Sequence, residues 1–182
     1  QIEVEASIQR LFFYAAWADK FDGSARSVPL KAIALVMNEA IGNCGVICDD
    51  RYPLLGFISA MAPLFATGNR SIIIPSEPFS PIVTDFYQVL DTSDVPPGTV
   101  NILTGKHNDL ALELASHMDI ESVWSFSTSD VSRDIEKASV SNLKRTWVSN
   151  GEKRDWYNEE SQGIQFLTNS TENKTIWIPY GE

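Results

Sequence analysis

The sequence predicts an α/β domain built on a mostly parallel, doubly wound sheet. Short apolar runs recur at residues 44–48, 71–74, 99–103, 122–126 and 143–148. Helix-period segments fall between them, the pattern of successive βαβ units. The 182 residues suit one domain or slightly more, and a chain of that size buries roughly 70% of its unfolded surface, enough for a core without staples. No repeat of fixed period interrupts the rhythm.

The elements follow in order. Residues 5–21 place Ile8, Leu11, Phe12, Ala15 and Ala18 on one helical face, and Gly23 stops the helix. Residues 29–37 are extended, a strand or hairpin arm. The run at 44–48 is a strand, and residues 53–66 form a helix apolar nearly all round, ended by Gly68-Asn69. After the strand at 71–74, Ser80 acts as N-cap with Pro81 at the first helical position, opening a helix through Leu90. Val95 to Gly98 is a turn before the strand at 99–103; residues 109–118 are a helix with Leu110, Leu114 and Met118 aligned. The strand at 122–126 leads into a helix that opens at Ser129 and closes at Ala138, and a strand at 143–148 follows. Beyond Gly151, residues 152–162 are a polar loop, and 164–167 and 175–178 read as two strands around a polar turn. The chain so divides into a helix and arm (1–38), the sheet domain (39–151) and a loop with two strands (152–182).

Charge and composition exclude several function classes. Fourteen Lys and Arg against 24 Asp and Glu leave a net charge of −10. Phosphate backbones and anionic membranes need clustered cations, so neither is an expected partner. The longest apolar stretch, 54–65, holds Pro63 and is too short for a bilayer core of about 30 Å. Glu3 and Glu5 open the chain where a signal peptide would be apolar. Because the sequence opens on Gln1 and not Met, it is expected to be a piece of something longer. Cys44 and Cys48 would share one face of a strand, too far apart to bridge, and read as reduced thiols in a cytoplasmic protein.

A doubly wound sheet binds ligands beyond the carboxyl ends of its strands. That singles out the junctions at 49–52, 74–77, 104–108 and 127–130. None carries a glycine-rich dinucleotide fingerprint or a Walker lysine. His107 and His117 lack ligand spacing, so no metal is expected, and no Ser–His–Asp set can be assembled.

At these junctions the residues resemble the aldehyde dehydrogenase superfamily. The ordered motifs are Tyr52-Pro53-Leu54-Leu55, Ala62-Pro63-Leu64, Thr67-Gly68-Asn69, Pro75-Ser76-Glu77, Pro97-Gly98 with Val100-Asn101, and Thr104-Gly105. Tyr14 to Lys20 is similar to the helix that precedes the family's oligomerisation strand. The resemblance covers roughly residues 11–153 and implies a Rossmann-like cofactor domain using NAD. Lys174 to Gly181 is similar to the second, thiol-lacking domain of family 16 of that superfamily.

The departures shape the functional expectation. By resemblance, Arg51 stands where an asparagine donates to the oxyanion, and Asp50 where a tryptophan lies near the pyrophosphate. Ile74 replaces the lysine that holds the adenosine ribose, while its acidic partner is kept as Glu77. Phe126, Ser127 and Thr128 fall on the pyrophosphate motif, with Phe126 bulky and Ser127 in place of a glycine. Ser149 occupies the general-base position and cannot accept a proton at neutral pH. No cysteine follows Cys48, and Asp49 and Asp50 beside it oppose a thiolate.

Glu77 and Thr128 are therefore the remaining cofactor-binding candidates, and no catalytic residue is expected. The alternative plain roles are capping for Glu77 and Thr128 and an acid partner for Arg51. The expected function is a non-catalytic dehydrogenase domain with a structural or assembly role in a larger chain. Its self-association, or contact with a partner dehydrogenase domain, would use the helix from Ser129 to Ala138 and the arm from Pro29 to Asn38. The alternatives are the NAD-binding part of an active enzyme whose nucleophile lies elsewhere, and a site for another nucleotide at Glu77 and residues 127–130.

Overall fold

The structure, a computed structural model, describes residues 1–180. Helix α1 (Ile2–Trp17) stops well before Gly23 and leads into a hairpin of β1 (Ser24–Ser27) and β2 (Ala32–Ala40). Strands and helices then alternate: β3 (Asn43–Ile47), α2 (Leu55–Ala66), β4 (Arg70–Ile74), α3 (Ser80–Thr84), α4 (Phe86–Thr92) and β5 (Val100–Ile102). Next come α5 (His107–Ser116), β6 (Ser122–Ser125), α6 (Ser129–Ser139) and β7 (Arg145–Val148). After a 3-10 turn at Glu159–Ser161 come α7 (Ile164–Asn169) and β8 (Thr171–Pro179).

The five central strands form a fully parallel sheet in the order β5-β4-β3-β6-β7. The chain winds outward from β3 through β4 to β5, then returns to build β6 and β7 on the other side. This is the doubly wound Rossmann-like arrangement, with its switch point between β3 and β6. Both faces are covered, which is why the strands read as continuous apolar runs. Val46, Ile73 and Trp124 face α2 with Phe57, Ile58 and Leu64. Their strand neighbours Ile47, Ile74 and Val123 face the opposite way, toward Leu114, Val131 and Ile135 of α5 and α6. Gly45 lets α5 approach closely, since a β-carbon there would lie 2.9 Å from Leu114 Cδ1.

Three expectations are corrected. The helix from Ser80 to Leu90 is two short helices meeting at Asp85, with Phe79 and not Ser80 as the capping residue. The two halves meet different partners: Val83 is fully buried, while the Tyr87 hydroxyl accepts from Ile102 N–H of β5 at 2.6 Å. The strand expected at 164–167 is helix α7. Its Phe166 and Leu167 are both fully buried, and the Phe166 ring packs against Trp124, Trp147 and Trp156. Gly163, at φ 110°, turns the chain into this helix. The last strand is longer than expected, because residues 171–173 join it instead of turning.

β8 pairs antiparallel with β2 along its length, from Ala32↔Pro179 to Ala40↔Thr171, giving a second sheet in the order β1-β2-β8. Residues 181 and 182, part of the expected terminal block, lie outside the described residues. Helix α1 packs on α2 and is stitched to the segment after β7. The buried Arg10 guanidinium donates to Ser59 Oγ at 2.7 Å, to the Trp156 carbonyl at 2.8 Å and to the Ser161 carbonyl. Burial holds its pKa below the usual arginine value. The Tyr14 hydroxyl accepts from Gly163 N–H at 3.3 Å.

Candidate functional site

The carboxyl ends of the parallel strands gather the junction residues around a cavity of about 210 Å³ whose lining includes Asp49, Asp50, Arg51, Ser127, Thr128 and Lys153. It sits at the switch point, where a doubly wound sheet takes its ligand. Beyond β3 the chain carries Asp49, Asp50 and Arg51. Beyond β4 come Pro75, Ser76 and Glu77. Past β5, His107 opens α5, and past β6, Ser127 and Thr128 open α6.

Most polar groups here are committed to one another. Arg51 folds back on Asp49, donating from Nε to Oδ1 at 3.0 Å and from Nη2 to Oδ2 at 2.5 Å. The hydrogen bonds to Asp49 hold the guanidinium above its usual pKa. Asp49 is 5% exposed and also accepts from Trp156 Nε1 at 3.3 Å. Arg51 is thus an acid's partner at the crevice mouth.

Asp50 Oδ1 accepts from Glu77 N–H at 2.8 Å. Glu77 Oε1 accepts from His107 N–H at 2.5 Å. That N–H is the first of α5, so Glu77 caps the helix where its partial positive charge favours a carboxylate. His107 is buried, with Nε2 2.8 Å from the Pro75 carbonyl and Nδ1 3.1 Å from Ser127 Oγ. A carbonyl only accepts, so Nε2 donates to Pro75, while Nδ1 and the Ser127 hydroxyl share the second hydrogen bond. Asp50 Oδ1 lies 3.9 Å from the same Nε2. A closed chain of contacts therefore joins the ends of β3, β4 and β6 through the start of α5.

The other expected positions are apolar or structural. Ile74 is fully buried against α5 and α6. Phe126 packs its ring on Trp156 and Trp147, with centroids 5.0 and 5.4 Å apart. Thr128 caps α6, its hydroxyl accepting from Val131 N–H at 3.4 Å. Ser149 donates from Oγ to the Ser127 carbonyl at 3.3 Å. Burial, then the carboxylates of Asp49 and Asp50, raises the Cys48 thiol far above its ordinary value, and burial pushes Cys44 up to about 12. Neither thiol is poised as a nucleophile. Among the described residues, no group of three His, Cys, Asp or Glu could hold a metal.

A larger polar cavity of about 450 Å³ opens beside Trp147, Lys153 and Arg154. Its floor holds the Arg154 guanidinium among the rings of Phe126, Trp147, Trp156 and Phe166, 5.5–5.9 Å from each centroid. Burial lowers the pKa of that arginine. Sequence reasoning missed this cluster, which joins residues from four separate segments. It also missed the role of His107, although His107 lies in one of the four flagged junctions.

Residues 1–157 match the aldehyde dehydrogenase family. The chain belongs to that family. It is 27% identical over 183 aligned residues to an aldehyde dehydrogenase of Alternaria alternata, covering 99% of this chain and 35% of the relative. It is 33% identical to retinal dehydrogenase 2 of Mus musculus, covering 84% of this chain and 30% of the relative. The chain thus spans about a third of the length of these curated dehydrogenases. Among solved structures, PnpE in complex with nicotinamide adenine dinucleotide is similar, with a TM-score of 0.78 and 27% identity over 81% of this chain and 30% of that one. PnpE is also described from Pseudomonas sp. WBC-3, with a TM-score of 0.77 over 80% of this chain. Among the described residues of this aldehyde dehydrogenase domain, no helix is long and apolar enough to cross a membrane.

Proposed function

We propose that this aldehyde dehydrogenase domain is non-catalytic and serves a structural, assembling role in a larger cytoplasmic dehydrogenase chain. One observation carries the reading: the Asp50–Glu77–His107–Ser127 network closes the switch point on itself. The Glu77 carboxylate, the retained candidate for a ribose, is occupied by the first N–H of α5. Asp50 puts a second carboxylate at the mouth, where it repels a pyrophosphate. Ile74 offers no donor, Phe126 fills space beside the loop, and Ser149 supplies no base. The residues present therefore fit NAD poorly, and no reaction step is assigned to them. The assembling surfaces are the exposed side of α6 and the arm from Pro29 to Asn38. Calorimetry with NAD and NADP tests the reading: no binding tighter than millimolar is expected, and a micromolar Kd overturns it.

The likeness to PnpE, solved with its dinucleotide, supports a second reading, in which this domain is the NAD-binding part of an active dehydrogenase whose nucleophile lies elsewhere. The double substitution Phe126→Gly with Ile74→Lys separates the two. If only these side chains obstruct the crevice, the double variant gains measurable affinity for NAD. If the His107 network also holds it shut, it gains none.

A further inference from the structure

We propose that the cavity beside β7 is a binding site for a small zwitterion, an amino acid with an apolar side chain, anchored by its carboxylate on Arg154. The inference goes beyond the assembly role proposed above and does not depend on it.

Arg154 is a cation with donors to spare. A guanidinium has five N–H groups, and here one is used, with Nη1 donating to the Glu160 carbonyl at 3.2 Å. Among the described residues it forms no salt bridge. The four rings around it attract the charge, but they leave the in-plane fork of N–H groups without acceptors. Partial burial already works against that charge, and a bound anion would offset the penalty.

The fork is also held in place. Phe126, Trp156 and Phe166 are at most 5% exposed, with ring centroids 5.0–6.4 Å apart, so the platform under the guanidinium is part of the core. The loop that lines the cavity is tied down as well. Ser161 Oγ donates to the Asp155 carbonyl at 2.7 Å, Asn158 Oδ1 accepts from Glu160 N–H at 3.0 Å, and Gln165 Nε2 donates to the Glu160 carbonyl at 2.5 Å. A fixed planar fork in a cavity wall is preorganised for a bidentate carboxylate.

The rest of the lining selects among carboxylates and other anions. Glu152, Asp155 and Glu160 outnumber the cations Lys153 and Arg154. That balance disfavours a phosphate dianion or a dinucleotide, and it favours a ligand that brings one ammonium with its one carboxylate. Glu152 and Glu160 lie close enough to act on the Arg154 charge, yet neither forms an ion pair with it. An amino acid's two charged groups bridge such a separation. Phe126, Trp147 and Val148 give the cavity an apolar wall for the side chain. Its volume of about 450 Å³ lies at the small end of the range for ligand pockets.

Calorimetry and tryptophan emission on the whole chain test the site, with Trp147 and Trp156 reporting beside the guanidinium. The probes are L-phenylalanine, 3-phenylpropanoate without the ammonium, phenethylamine without the carboxylate, and inorganic phosphate. L-Phenylalanine should bind with a Kd of about 1 mM or tighter, the range that about a dozen heavy atoms support, and should shift the emission. Arg154→Gln should weaken it at least about tenfold, with the circular dichroism spectrum unchanged. Arg154→Lys keeps the charge over the rings and loses the fork; it should weaken binding about threefold or more, and it carries the test if the glutamine variant does not fold. Glu152→Gln combined with Glu160→Gln, both at exposed positions, should weaken L-phenylalanine and strengthen 3-phenylpropanoate, an opposed response that a merely structural role for these acids would not give. Failure of L-phenylalanine to bind overturns the site. Phosphate or phenethylamine binding as tightly as L-phenylalanine overturns the zwitterion. An affinity indifferent to both Arg154 variants overturns Arg154 as the anchor.

Discussion

The two sheets of this molecule are built on opposite terms. In the parallel sheet each strand is short, yet Ile47, Ile73, Ile74 and Val123 are all fully buried because helices lie on both faces. In the antiparallel sheet β2 and β8 are longer, at nine residues each, yet β1 is exposed throughout and β8 almost throughout. Strand length and apolar content therefore say little about where stability resides. Coverage decides it. The parallel sheet is a core, and the arm is a surface carried by that core.

A rise in pH should expose this difference most strongly. The raised thiols of Cys44 and Cys48 and the raised hydroxyl of Tyr14 all belong to the core around the parallel sheet, and none lies on the arm. Their folded-state values exceed the unfolded ones, so their contribution is complete below the unfolded thiol value of about 8.5. For Cys44 it is lost as pH climbs toward about 12, at about 1.4 kcal/mol per pH unit while the folded thiol alone is protonated. Urea midpoints measured from pH 8 upward should fall steadily; a flat profile would mean the thiols are not sealed in the core.

Phe166→Ala removes a fully buried ring that touches Trp147 and Trp156 and should cost about 3–5 kcal/mol in chemical denaturation. Arg10→Ala leaves Ser59 and the carbonyls of Trp156 and Ser161 without their donor, a loss of about 2–3 kcal/mol by the same measurement. Glu77→Gln keeps an acceptor for His107 N–H but removes the charge at the start of α5, worth about 0.5–1 kcal/mol. Ile33→Ala, on the exposed face of β2, should shift stability by no more than about 0.5 kcal/mol. If Ile33→Ala costs as much as Phe166→Ala, the division between core and carried surface fails.

The parallel sheet was legible because its rules are local. Apolar runs, the helix pattern at 53–66 and the Thr128 cap all sit within a few residues of their cause. α7 was not legible, since Phe166 and Leu167 form a short apolar run that suits either period. What settles it is the ring cluster of Trp124, Trp147 and Trp156 waiting across the fold. The site divides in the same way. Positions could be assigned from motif order, but partners could not, because Glu77 meets His107 across 30 residues and Arg10 meets Trp156 across 146. The closing of the crevice by His107 depends on three strand ends meeting, which no spacing in the sequence records.

The stitching of α1 has a consequence for synthesis. The Ser161 carbonyl that Arg10 binds is made 151 residues after it. At about 5–20 residues per second, α1 waits ~8–30 s for that acceptor. During that interval the Arg10 guanidinium has Ser59 of α2 as an acceptor but lacks the Trp156 and Ser161 carbonyls. Although α1 precedes the parallel sheet in the sequence, it is thus among the last of the described elements to reach its final state.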